Sequence, residues 1–168
     1  NKLESLAQQT TQEVSRIITD LRPALLDSAG LLPAIRRFAE DKLMPQGIDI
    51  VMDVRGNLPH LAPEIEATLY RFAQGAISNV ARHAEAKKLS IVVECGDRSL
   101  SVRIIDDGRG FDVSTVTGID ETTGRGRGLF AMQERISLLG GSYRVESAPG
   151  EGTTVVAEIP IDGVSDVE

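Results

Sequence analysis

The sequence predicts an α+β fold, with helices on one face of a sheet of about five strands. Two observations predict it. Segments whose apolar residues recur at helical spacing are interspersed with segments of period two. Five of the latter are bounded by glycine, asparagine or aspartate turns. A third observation concerns function. Residues 106–128 are rich in Gly, Asp and Thr, lack periodicity, and are too long for a passive connector, so a functional loop is expected there.

Residues 2–22 read as a helix. Leu3, Ala7, Thr10, Val14, Ile17 and Leu21 form a heptad seam, which favours pairing with a partner helix. Pro23 ends or bends it, and Asp27-Ser28-Ala29-Gly30 reads as a break. A second helix is expected over Leu31–Leu43, with Leu32, Ile35, Phe38, Ala39 and Leu43 on one face and Pro45 and Gly47 as stops. Ile48–Val54 alternates as a strand, followed by the Gly56-Asn57 turn. Pro63 and Glu64 open a long helix reaching His83. Leu89–Glu94 and Leu100–Ile105 form a hairpin about Gly96-Asp97. Leu129–Leu139 is a helix closed by Gly140-Gly141. Ser142–Ser147 and Thr153–Ile159 are the last strands, and the acidic tail begins at Asp162.

The 168 residues suit one domain plus an appended element; 41% are hydrophobic and 26% charged, an ordinary globular balance. A formal net charge of -7 argues against a nucleic-acid partner, which needs a basic stripe. No apolar run approaches the length of a membrane span, and no signal peptide is visible, so the piece reads as cytoplasmic and free of membrane contact. It begins at Asn1 within a helical pattern, as a piece of a longer protein would, with room for a membrane anchor upstream. Cys95, in an apolar strand, reads as a buried structural thiol.

Four clusters carry chemistry. On the long helix stand Arg71, Gln74, Asn79, Arg82, His83 and Ala84, with positions 75, 79 and 82 or 83 expected on one face. An amide oxygen there is a suitable Mg²⁺ ligand, and an arginine suits phosphate. Next, an apolar strand delivers Asp106, followed by Asp107-Gly108-Arg109-Gly110-Phe111; two glycines let backbone pass close to a ligand. Third, Gly124-Arg125-Gly126-Arg127-Gly128-Leu129-Phe130-Ala131-Met132 opens a helix, aiming free N–H groups and positive charge at an anion. The fourth is Gly150-Glu151-Gly152-Thr153-Thr154, a tight turn before the last strand.

In this order and spacing the four resemble the N, G1, G2 and final glycine boxes of sensor histidine kinases, and more broadly the GHKL ATPases. Leu21-Arg22-Pro23-Ala24-Leu25-Leu26-Asp27 through Gly30-Leu31 resembles the segment joining dimerisation helices to the catalytic domain in kinases that signal to NarL-type response regulators. The resemblance implies a two-layer α/β sandwich with a mixed sheet. It divides the chain into a dimerisation-helix stub (1–24), an ATP-binding catalytic domain (25–161) and a tail (162–168). Asp106 would bind the adenine amine and Asn79 would ligate Mg²⁺. Arg82 and His83 would meet phosphates, and Gly108 and Gly110 would shape the adenine pocket. Gly126 and Gly128 would cradle the triphosphate beside Arg125 and Arg127. Leu129 and Met132 would line the pocket, Thr153 would support Asp106, and residues 111–126 would form a mobile lid.

The resemblance also implies homodimerisation through the N-terminal helices, with phosphate passed from ATP to an upstream histidine and on to a response regulator. Neither His60, in a loop after a proline, nor His83, in the N box, suits that acceptor role, so this piece alone should not autophosphorylate. One position departs from the subtype: Gly75 stands where glutamate is usual, four residues before Asn79. No catalytic residue is therefore assigned. A side chain at 75 is expected to point toward metal and terminal phosphate, and a nucleotide-binding module with little or no phosphotransfer is the alternative. Gly126, Gly128 and Ala131, with Glu146 beyond, also spell a dinucleotide fingerprint. That fingerprint needs a strand running into the glycines, and residues 113–125 do not read as one.

Overall fold

The computed structural model describes residues 24–116 and 127–161. The expected dimerisation helix, lid residues 117–126 with Arg125 and Gly126, and the tail from 162 lie outside the described residues.

The elements are α1 (Ala24–Ala29), α2 (Leu31–Leu43), β1 (Asp49–Arg55), α3 (Pro63–Asn79), β2 (Lys88–Cys95), β3 (Ser99–Asp106), α4 (Arg127–Leu138), β4 (Ser142–Ser147) and β5 (Thr153–Pro160). The sheet order is β1-β2-β3-β5-β4. β1 runs parallel to β2, with α3 as the crossover that parallel pairing requires, and every other pair is antiparallel. The sheet is therefore mixed, as expected.

Period-two burial turns one face of the sheet toward the helices. Leu89, Ile91 and Val93 of β2, Leu100, Val102 and Ile104 of β3, and Val155, Ala157 and Ile159 of β5 are all buried. Against them α3 sets Leu69, Phe72, Ala73, Ala76 and Ile77, spaced i, i+3, i+4, i+7, i+8 as one buried helical stripe demands. Phe72 meets Tyr143 of β4 edge-to-face at 6.3 Å, tying α3 to the far edge of the sheet. Among the described residues no helix is long and apolar enough to cross a membrane.

Three expectations change. The break at 27–30 narrows to Gly30, whose φ of 81° makes the turn alone, so Asp27, Ser28 and Ala29 stay helical. The helix expected to reach His83 is α-helical only to Asn79, then widens into a π turn over Val80–Ala84. Tertiary bonding explains this: the Ala84 carbonyl accepts from Arg109 N–H at 2.7 Å, and Glu85 turns the chain away at φ 54°. Cys95, expected to be buried, is only partly so, because it closes β2 at the sheet's end.

Candidate functional site

Asp106 is the last residue of β3, and alternation places it on the helix-facing side after Leu100, Val102 and Ile104. It is 7% exposed and the one buried charged residue among those described. A carboxylate at the end of an apolar row is costly unless its oxygens are satisfied. One is: Oδ1 accepts from Gly108 N–H at 2.9 Å. Burial raises its pKa, opposed by the backbone N–H groups of Gly108 and Thr153. An ionised carboxylate offers about four lone-pair sites, so acceptor capacity remains for a ligand donor.

Asp107 faces the other way and is exposed. Its Oδ1 accepts from the backbone N–H of Lys87 and of Lys88, both at 2.8 Å, stitching the end of β3 to the start of β2. The bonds from Lys88 and Lys87 hold its pKa below the ordinary 3.8. The two neighbours thus have opposite linkage. The depressed pKa of Asp107 gives stability that is present above pH 3.8 and lost as pH falls through its folded value. The raised pKa of Asp106 favours the fold at low pH and loses that contribution as pH rises through its folded value. Asp107→Asn should therefore lower the urea midpoint at neutral pH, and the gap to wild type should close as pH falls below 3.8. Urea titrations of both proteins across the carboxylate range test this; a gap independent of pH contradicts it.

Gly108 and Gly110 lie where three stretches of backbone come close. A Cβ on Gly108 would strike the Ala84 carbonyl, and one on Gly110 would strike the carbonyls of Ala148 and Gly152. They permit backbone to pack on backbone. Three segments meet there: the π turn, the loop after β3, and the turn before β5. Ser147 binds them further. Its Oγ accepts from Phe111 N–H at 2.9 Å, donates to the Gly152 carbonyl at 2.7 Å, and lies 3.0 Å from Thr153 Oγ1. Thr153 supports Asp106 through its main chain, as its register partner across the β3–β5 ladder. Sequence reasoning misses the roles of Ser147 and Asp107. An aspartate followed by glycine is a weak turn signal for the second, and nothing marks the first.

Asn79 ends α3, half-buried. Its amide faces α4: a Cβ on Gly128 would lie 3.6 Å from Asn79 Oδ1. Gly128 stands in the first turn of α4, where backbone N–H groups lack helical partners and no acidic residue offsets the positive helix end. An amide oxygen and an anion-seeking helix terminus are therefore side by side. Leu129 is partly buried and Met132 is 1% exposed on the same helix. Arg82 and His83 are exposed on the π turn. The i→i+5 spacing of that turn takes them out of the α-helical phase that would align them with 75 and 79.

Gly75 has a close neighbour that its sequence position does not reveal. A Cβ there would lie 2.9 Å from Met132 Sδ and 3.2 Å from its Cγ. A side chain at 75 would first meet Met132 of α4, one turn from Gly128. Glycine inside a helix costs about 1 kcal/mol relative to alanine, and the contact with Met132 accounts for it.

The described residues hold no cluster of three His, Cys, Asp or Glu side chains fit to bind a metal alone. That suits Mg²⁺, which prefers one or two protein oxygens supplemented by substrate phosphates. The buried Asp106 carboxylate thus closes β3, and the Asn79 amide lies beside the first turn of α4.

Comparison with known proteins gives the family. Residues 64–163 match the histidine kinase-, DNA gyrase B- and HSP90-like ATPase family, and the chain belongs to it. It is 30% identical over 159 residues to the sensor histidine kinase LiaS of Bacillus subtilis (strain 168), covering 95% of this chain and 42% of that protein. It is 31% identical over 159 residues to the signal transduction histidine-protein kinase/phosphatase DegS of Brevibacillus brevis, covering 95% and 40%. The chain thus spans about two-fifths of the length of these relatives. Among solved structures, full-length ShkA in complex with AMPPNP aligns with a TM-score of 0.65 at 23% identity, covering 79% of this chain and 30% of that one. The histidine kinase domain of the Erythrobacter litoralis EL346 blue-light activated histidine kinase aligns with a TM-score of 0.56 at 20% identity, covering 75% and 58%. The chain is an ATP-binding domain of the histidine-kinase type.

Proposed function

We propose that this domain binds Mg²⁺–ATP and presents its γ-phosphate to a histidine on a dimerisation helix of the full-length protein, for relay to a NarL-type response regulator. The observation that carries the reading is Asp106, a carboxylate buried at the end of an apolar strand with acceptor capacity left for a ligand donor. Family membership and the curated relatives support it.

Asp106 accepts the exocyclic amine of adenine and excludes guanine, whose carbonyl is an acceptor at that place. Leu129 and Met132 give the base an apolar wall. Asn79 supplies a protein oxygen to Mg²⁺, and Gly128 with Gly126 offers backbone N–H groups to the phosphates. Arg82, His83, Arg125 and Arg127 contribute positive charge. Bound Mg²⁺–ATP supplies the transferable phosphoryl group. The chain orients it, and the two copies of the kinase pair through residues 1–24.

The test is radiolabelled ATP given to the full-length protein and to this 168-residue piece. The full-length protein should acquire acid-labile, alkali-stable label, and Asn79→Ala should abolish it. The piece alone should stay unlabelled. Label on the piece would place the acceptor within it, and unlabelled full-length protein that still binds ATP would remove the kinase assignment.

A further inference from the structure

The seam between α3 and α4 carries a pairing that the nucleotide site does not by itself require. Gly75 and Asn79 stand one turn apart on α3; Met132 and Gly128 stand one turn apart on α4. Gly75 faces Met132, and Asn79 faces Gly128, so the helices run antiparallel with each small residue opposite a larger one. Gly75 does not have a positive φ, so freedom of the backbone is not why glycine sits there. Space is. The Met132 thioether fills the notch at 75 and is 1% exposed. Interaxial distance depends on the side chains at the contact, and this contact is one turn from the place where Asn79 meets the N-terminus of α4.

We infer that Gly75 is a positioning residue: by receiving the Met132 thioether it sets the approach of α4 to α3, and so the distance between Asn79 and the phosphate-seeking N-terminus at Gly128. This rests on the nucleotide reading above. It also means that a thioether from α4, not a carboxylate from α3, occupies the seam at that turn.

The inference predicts coupling. Alanine at 75 forces Met132 or α4 to shift, and the effect reaches the phosphates more than the base. Gly75→Ala should weaken Mg²⁺–ATP binding at least about fivefold by calorimetry, and ADP binding by less. Met132→Ala empties the notch, so adding Gly75→Ala to it should cost nothing further: the double variant should bind ATP within about twofold of Met132→Ala alone. Apo stability by urea titration, measured on the same four proteins, should show the same non-additivity without any nucleotide, and keeps the pairing testable if Gly75→Ala alone folds poorly. Additive losses in the cycle would overturn the pairing. Unchanged ATP affinity with lowered stability would reduce Gly75 to packing and overturn its positioning role. Wild-type protein that binds no ATP would instead remove the nucleotide reading, and the positioning role with it, while leaving any stability coupling visible.

Discussion

Asp106→Asn should lose ATP binding by roughly a hundredfold or more, with little change in the stability of the ligand-free domain. The geometry fixes the outcome. Gly108 N–H points at Oδ1 from 2.9 Å, so an asparagine there keeps its oxygen toward Gly108 and turns its NH₂ toward the ligand. A donor then faces the donor of adenine. Leaving one buried polar group unsatisfied costs about 1–3 kcal/mol, a factor of roughly ten to a hundred, and opposed donors add to that. Sites built around a hydrogen bond to a substrate group discriminate by about 10⁴–10⁵ against a ligand that cannot make it. The same reversal should move preference toward guanine. Stability should hold because a neutral amide escapes the desolvation that raises the Asp106 pKa. Calorimetry with ATP and GTP, beside urea titration of the apo protein, separates the two effects. ATP binding unchanged in the variant would take Asp106 out of the site.

Much of the fold is legible in the sequence because periodicity reports burial. Leu31–Leu43 and Ser142–Ser147 have the expected bounds; β2 and β3 are one residue longer than expected at each end and β5 at its C-terminal end. Asp106 is legible because alternation puts it on the buried face. What is not legible depends on contacts between distant segments. The π turn at Val80–Ala84 exists because Arg109 N–H, 25 positions after Ala84, engages that carbonyl; no local pattern encodes it. Ser147 becomes a hub only once the turn before β5 and the loop after β3 are brought together. Gly75 is the clearest divergence between sequence and structure. Helical phase correctly relates it to Asn79, but phase alone does not say what stands opposite, and Met132 is 57 positions away. For the glycines after Asp106 the sequence marks the right residue type, but the close approach they permit is to backbone.

The turn before β5 offers its own control for that close approach. Gly150 and Gly152 both have positive φ, 85° and 72°. A Cβ on Gly150 would meet nothing within 4 Å, whereas one on Gly152 would strike the Asp106 carbonyl. Gly150→Ala should therefore carry only the left-handed strain, about 1–2 kcal/mol, and keep ATP binding. Gly152→Ala carries the same strain plus a collision with main chain. Overpacking costs about 1–3 kcal/mol even when side chains can rotate away, and a carbonyl held in the β3–β5 ladder cannot. The sum, roughly 2–5 kcal/mol, is a large part of the roughly 5–15 kcal/mol typical of a domain. Relief can come only by moving Gly152 or the end of β3. Either motion disturbs Ser147, which donates to the Gly152 carbonyl, and the carboxylate of Asp106. The expected result is a Gly152→Ala protein with a sharply lowered urea midpoint that, where still folded, fails to bind ATP, beside a Gly150→Ala protein that binds normally. Equal behaviour of the two variants would show that backbone strain alone governs this turn, and that the close packing beneath Asp106 does not hold the site in place.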